Sequence, residues 1–301
     1  MNFEMITCGY GMLEAPRVDR RGVLHFSDLY EGGVHRWSPD GHLDVVLRGR
    51  QHIGGIVLNE GGGLVVSGST QPLAFWDGSS SETRVLLEEF DGTPVGYVND
   101  IEADARGSVW GGTVNLALPS TTEAARAIVA GLVAAPHAVG PAPSIVFRAD
   151  PDGTVEKLWE EGTIANGLAF SPDGQRLYQC DTLTGVYAFD ITADRRLANR
   201  QFFGKVPEGG NNGLAVDVEG GVWVAAVGGG SIIRFGPDAV IDEVIDVPAR
   251  GVMSLEFGGA DGQDLFVVTS DNTVRPDQEG AVFRARSDIP GLPGHRSRYP
   301  S

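Results

Sequence analysis

Apolar and polar residues alternate along most of the chain, in short runs broken by glycine, aspartate and proline. This is the period of a half-buried strand, not of a helix. The runs form a recurring unit: a lead residue, an alternating run, a Gly-containing turn and a second β-rich run. It opens as EAPRVDRRGVLHFSD from Glu14, GGIVLNEGGGLVVSG from Gly54 and NDIEADARGSVWGGT from Asn99. It continues as NGLAFSPDGQRLYQCD from Asn166, NGLAVDVEGGVWVAA from Asn212 and MSLEFGGADGQDLFVVT from Met253. Two such runs around a Gly/Asp turn read as a β-hairpin. A third run follows most of them, as in IVFRADPDGT, GVYAFDIT and SIIRFGPDA.

Successive lead residues are 40, 45, 67, 46 and 41 positions apart. A repeat of about 40–45 residues built from strands is the signature of a four-stranded propeller blade. The expected fold is therefore all-β, a six-bladed β-propeller, with residues 1–301 forming one domain. The long gap locates an insertion at about 114–144. Its middle, TTEAARAIVAGLVAA over 121–135, is alanine-rich and proline-free, which predicts a short helix. Thr121 or Thr122 can cap it, and Pro136 with the Gly/Pro run beyond it stops it. Placed after the second strand of its blade, this insertion is expected to be a lid over the channel or a contact for another subunit.

Composition narrows the partners. Lys and Arg number 23 against 40 Asp and Glu, a net charge of −17. Nucleic acid is thereby excluded as a partner, since binding it needs a basic footprint. No uncharged apolar run approaches the ~20 residues of a membrane helix, and the N-terminus lacks the basic and apolar regions of a signal peptide. Cys8 and Cys180 form neither a disulfide framework nor a zinc pattern. The expected location is cytoplasmic, with no membrane partner.

The innermost strand of each blade lines the channel, so the lead residues Glu14, Gly54, Asn99, Asn166, Asn212 and Met253 ring one axis. An Asn-Gly or Asn-Asp pair alone reads as a turn. Three in register, with a carboxylate in a fourth repeat, read as a hard-cation site built of oxygens. One divalent ion is expected, Ca2+ first, with Zn2+, Mn2+ or Mg2+ as alternatives, held by Glu14, Asn99, Asn166 and Asn212.

The stretches LEAPR at 13–17, ND at 99–100, IANGLAF with SPDG from Ile164, NGL at 212–214, GGVWVA at 220–225 and FGG at 257–259 resemble the SMP-30/gluconolactonase/LRE family, also called regucalcin-like. The likeness covers nearly the whole chain. It implies a six-bladed propeller and a metal-dependent lactonase or related ester hydrolase, with a channel ion held by a Glu, two Asn and an Asp. Glu14, Asn99 and Asn166 match the first three. The chain departs from the family at three places. Asn212 stands where the family's Asp acts as ligand and proton acceptor, and an amide takes no proton at neutral pH. Tyr97 stands where sugar-lactone members carry Arg. The stretch Val114-Asn115-Leu116-Ala117 lacks the acidic residue that those members place nearby.

Tyr97, Ala117 and Met253 are accordingly the candidate substrate contacts, and they point to a lactone or ester less polar than a sugar lactone. Asn212, Asp100 and His52 are the candidate catalytic positions: Asn212 as the altered ligand, Asp100 as the acid beside Asn99, and His52 near the funnel mouth. The alternatives are a metal-assisted isomerase or cyclase and a non-enzymatic calcium-binding propeller.

Overall fold

The computed structural model describes residues 1–80, 82–114 and 143–300. Six four-stranded antiparallel sheets surround one axis. The N-terminal strand β1 (Glu4–Tyr10) belongs to the last of them. Blade 1 is β2 (Leu13–Val18), β3 (Leu24–Asp28), β4 (Val34–Trp37) and β5 (Leu43–Leu47). Blade 2 is β6 (Ile56–Leu58), β7 (Leu64–Ser67), β8 (Leu73–Trp76) and β9 (Arg84–Leu87). A small hairpin, β10 (Glu89–Phe90) and β11 (Thr93–Pro94), leads to blade 3: β12 (Tyr97–Ala103), β13 (Val109–Val114), β14 (Ile145–Ala149) and β15 (Val155–Glu160). Blade 4 is β16 (Ala165–Phe170), β17 (Arg176–Asp181), β18 (Gly185–Ile191) and β19 (Leu197–Gly204). Blade 5 is β20 (Gly210–Val216), β21 (Val222–Val227), β22 (Ser231–Phe235) and β23 (Ile241–Asp246). Blade 6 is β24 (Val252–Gly258), β25 (Asp264–Thr269) and β26 (Gly280–Arg286), completed by β1.

The six-bladed propeller read from the repeat is thus the fold. The helix expected over 121–135, its role as a lid and the contact residue Ala117 lie outside the described residues. Among the described residues no helix is long and apolar enough to cross a membrane, and both cysteines are free.

Ring closure and packing follow from the alternation. The innermost strands touch in cyclic order β2, β6, β12, β16, β20, β24 and back to β2. Strand β1 pairs antiparallel with β26, from Glu4 opposite Arg284 to Tyr10 opposite Gly280, so the last blade is finished by the first strand. Inward-alternating side chains fill an apolar cluster between each pair of neighbouring blades. Phe75, Ile101 and Phe147 pack between blades 2 and 3, and Tyr178, Leu214 and Phe235 between blades 4 and 5. Repeated polar anchors tie hairpin turns to the sheets. The wholly buried Asp217 accepts from Trp223 Nε1 at 2.8 Å and from Arg234 Nε at 2.8 Å.

The C-terminal tail closes one end of the channel. Val218 N donates to Pro290 O, Ser297 N to Leu58 O and Arg298 N to Gly107 O, so the tail crosses hairpin turns of blades 5, 2 and 3. Asn59 clamps it. Its Oδ1 accepts from Ser297 Oγ and Tyr299 N, both at 2.9 Å, and its Nδ2 donates to Gly62 O and Tyr299 O, both at 3.0 Å. Asn59→Ala leaves several buried backbone groups unpaired and is expected to cost about 2–4 kcal/mol. Urea unfolding measures it; a loss below about 0.5 kcal/mol would show that the tail holds without the clamp.

Candidate metal and active site

The lead residues sit where the inner strands bulge. A β-bulge sets two residues against one and re-aims the side chain there. In blades 3, 4 and 5 the extra pair is Asn99-Asp100, Asn166-Gly167 and Asn212-Gly213. In blade 1 the irregularity directly follows Glu14, and in blade 6 it falls at Met253. The Asn-Gly pairs are therefore inside strands rather than in turns. Glycine is needed there because the next blade is too close for a side chain. A Cβ on Gly167 would lie 2.5 Å from Leu214 N, and one on Gly213 2.6 Å from Ser254 Cβ.

Glu14, Asn99, Asn166 and Asn212 are only 2–7% exposed. Buried polar atoms are ordinarily satisfied. Here Glu14 Oε2, Asp100 Oδ2, Asn166 Oδ1 and Asn212 Oδ1 have no hydrogen-bond partner. The amide nitrogens are engaged instead: Asn166 Nδ2 donates to Thr182 Oγ1 at 3.1 Å, and Asn212 Nδ2 contacts Met253 Sδ at 3.8 Å. Asn99 is arranged differently, its Oδ1 accepting from the Tyr97 hydroxyl at 2.9 Å. Among the described residues no group of three or more His, Cys, Asp or Glu side chains is placed to hold a metal. A site here depends on amide oxygens. All-oxygen donors with one carboxylate fit a hard divalent cation.

Burial, and then the nearby Asp100, push the Glu14 carboxyl well above the usual carboxylate range. Burial raises Asp100 to about 7, against the opposing pull of Arg17. Burial and the field of Glu14 raise the Tyr97 phenol. Tyr30, pushed up to about 12 by burial and Glu14, shares this surrounding. Both rings join Met12, Val114, Ile164, Val227 and Met253 in one apolar cluster at the strand ends that carry the lead residues.

His52 is engaged with blade 2 and Tyr30. Its backbone is left-handed at φ 59°, its Nδ1 meets Ser69 Oγ at 3.0 Å, and its ring stands edge-on to Tyr30 at 5.5 Å. Asp28, Asp181 and Asp271 are spent on backbone amides of the turns beside them.

One cluster was not singled out from the sequence. Arg17, a bulge beyond Glu14, donates to Glu256 Oε2 at 3.0 Å and to Ile101 O at 2.8 Å, and pairs with Glu102 at 3.0 Å. It joins blades 1, 3 and 6 across the axis. Beyond it a cavity of about 640 Å3, also lined by His295 and the tail, opens at the opposite end of the channel and includes none of the lead residues. The available signal was a charged residue at an inward position of an otherwise apolar alternation, as in MSLEFGG.

The fold is a six-bladed propeller with unpartnered buried oxygens at the bulges of its inner strands. The chain belongs to the SMP-30/gluconolactonase/LRE-like family, whose model matches residues 12–271. It is similar to the 6-deoxy-6-sulfogluconolactonase of Pseudomonas putida, 27% identical over 283 residues, covering 90% of this chain and 89% of that one. Among solved structures it resembles a luciferin-regenerating enzyme, with TM-score 0.82, 24% identity and 99% of both chains covered. It also resembles regucalcin from Agrobacterium tumefaciens, a calcium-binding protein, with TM-score 0.77, 19% identity, and 98% of this chain and 96% of that one covered.

Burial raises Glu256 to about 7, with Arg17 pulling it down and Glu102 pushing it up. The folded state therefore keeps this proton up to about pH 7, whereas the unfolded chain releases it near pH ~4.3. Between those values stability falls as pH rises. Glu256→Gln has no such proton. In chelator, its stability relative to the parent should rise by on the order of 2–3 kcal/mol from pH 4 to pH 8. Urea unfolding across that range checks this; a constant difference contradicts it.

Proposed function

We propose that the protein is a metal-dependent lactonase whose substrate is less polar than a sugar lactone. The observation that carries the reading is the set of unpartnered, buried oxygens on Glu14, Asn166 and Asn212, at the bulges of three inner strands. A buried carboxylate oxygen without a partner is costly unless a cation compensates it. The relative from Pseudomonas putida, named a sulfogluconolactonase, supports lactone opening. The calcium-binding neighbour supports calcium as the first ion to test. The chemistry supplied by such an ion is Lewis-acid polarisation of a carbonyl oxygen.

The chain's own residues divide the remaining work. The Asn212 amide accepts no proton at neutral pH, so the proton acceptor is another group. Asp100 is buried, follows Asn99 directly and keeps Oδ2 free; we assign it that role. Tyr30, Tyr97, Val114, Ile164, Val227 and Met253 belong to one apolar cluster, and we assign it as the wall of the substrate site. Sugar hydroxyls placed against that surface would lose their water partners without replacement, whereas an alkyl arm gains from burial. A cytoplasmic location and a small-molecule partner belong to the same reading.

A panel of alkyl-substituted γ- and δ-lactones beside gluconolactone tests the substrate class. The expected result is kcat/KM at least about tenfold higher for the alkyl lactones, equivalent to two buried methylenes or fewer, and loss of turnover in chelator. Preference for gluconolactone would overturn the polarity reading. Calcium uptake without opening of any ester would leave a calcium-binding propeller. Glu14→Gln removes the one formal charge among the proposed ligands. It should weaken calcium binding, measured by calorimetry, more than Ala at Asn99, Asn166 or Asn212 does; equal losses would mean that geometry and not charge dominates.

A further inference from the structure

Tyr30 follows β3 in a turn that is pinned on every side. Asp28 Oδ1 accepts from Tyr30 N at 3.2 Å and from Glu31 N at 3.1 Å, and its Oδ2 accepts from Gly11 N at 2.8 Å. Gln51 Nε2 donates to Tyr30 O at 2.7 Å. The ring is held as firmly: it packs with Met12, Tyr97 and Met253 and meets His52 edge-on at 5.5 Å. Only 5% of the residue is exposed, yet among the described residues its hydroxyl makes no hydrogen bond. A buried phenol ordinarily finds a partner. Tyr97 and Tyr299, buried to the same degree, donate to Asn99 Oδ1 and to Ala149 O. The bare phenol also lies by the channel oxygens, since the field of Glu14 reaches it and its own field reaches Tyr97.

We propose that Tyr30 is a catalytic residue: its hydroxyl donates a hydrogen bond to the ring oxygen of the lactone as that oxygen leaves. The inference rests on the metal-dependent lactonase reading and deepens it. There the carbonyl oxygen is polarised by the ion, while the ring oxygen, which also gains charge, has no partner assigned. The bond between the acyl carbon and the ring oxygen breaks, and its electron pair stays on that oxygen. Water supplies the second carboxyl oxygen. One of its protons ends on the released alcohol and the other is lost as the acid ionises, so the phenol is regenerated unchanged. A donor fixed in place beforehand acts on the charge that develops in the transition state, and so on turnover more than on ground-state binding. The clamped turn supplies that fixity, and the apolar surroundings of the ring leave the hydroxyl no competing partner.

The test compares the full-length parent with Tyr30→Phe on two lactones that differ in the leaving oxygen. An alkyl δ-lactone releases an alkoxide, which needs a donor; dihydrocoumarin releases a phenolate, which needs one far less. On the alkyl lactone kcat should fall about tenfold or more, with KM changed less than about threefold. On dihydrocoumarin kcat should fall less than about threefold. Calcium affinity by calorimetry should stay within about twofold of the parent, and the melting temperature within about 2 °C, because the ring is kept and the lost hydroxyl had no partner. Equal losses on the two lactones, or no loss on either, overturn the proposal while leaving the metal reading intact. A lower melting temperature together with weaker calcium binding would make Tyr30 a structural residue and overturn it as well. Failure of the parent to bind calcium, manganese or zinc, or to open any ester, overturns the metal-dependent lactonase reading and this inference with it.

Discussion

A carboxylate buried on the axis of a closed ring, with one oxygen facing no donor, is the constraint around which this molecule is arranged. Glu14 cannot move to solvent, because β2 is wedged between β24 and β6 in the ring of inner strands. Among the described residues no cationic side chain lies at hydrogen-bond distance from its unpartnered oxygen. Arg17, on the same strand, is committed to Glu102, Glu256 and the Ile101 carbonyl. Left alone, a buried carboxyl keeps its proton. With a divalent ion and amide oxygens beside it, the same group becomes a ligand.

The bulges make that possible. A regular strand alternates its side chains between faces, which would fill the gaps between blades and leave only one register for the axis. The extra residue at each lead position releases Asn99, Asn166 and Asn212 from that register while Val98, Leu168 and Leu214 continue into the inter-blade clusters. Packing and chemistry thus share one strand without competing for the same positions. The Asn-Gly pairs serve both demands: asparagine supplies the amide, and glycine lets the neighbouring inner strand approach.

Much of this was legible in the sequence. The repeat near forty residues, with hairpin punctuation, is a direct image of the blades, and the in-register lead residues mark the axis. The bulges were not legible, since an extra residue inside an alternating run leaves no trace distinct from a turn dipeptide; Asn166-Gly167 and Asn212-Gly213 read either way. The closure of blade 6 by β1 was hidden because the partner strands lie at opposite ends of the chain. Arg17, Glu102 and Glu256 come from three different repeats, so their meeting depends on the closed ring. The Tyr97–Asn99 bond was equally invisible, because residues two apart in a regular strand share a face without a fixed contact.

The most direct measurement is an anomalous diffraction map of crystals soaked in manganese. The account predicts one strong peak in the channel, within about 2.0–2.6 Å of Glu14 Oε2, Asn166 Oδ1 and Asn212 Oδ1. A peak between Glu102 and Glu256 on the far side of Arg17, or a channel with no peak at all, would contradict it.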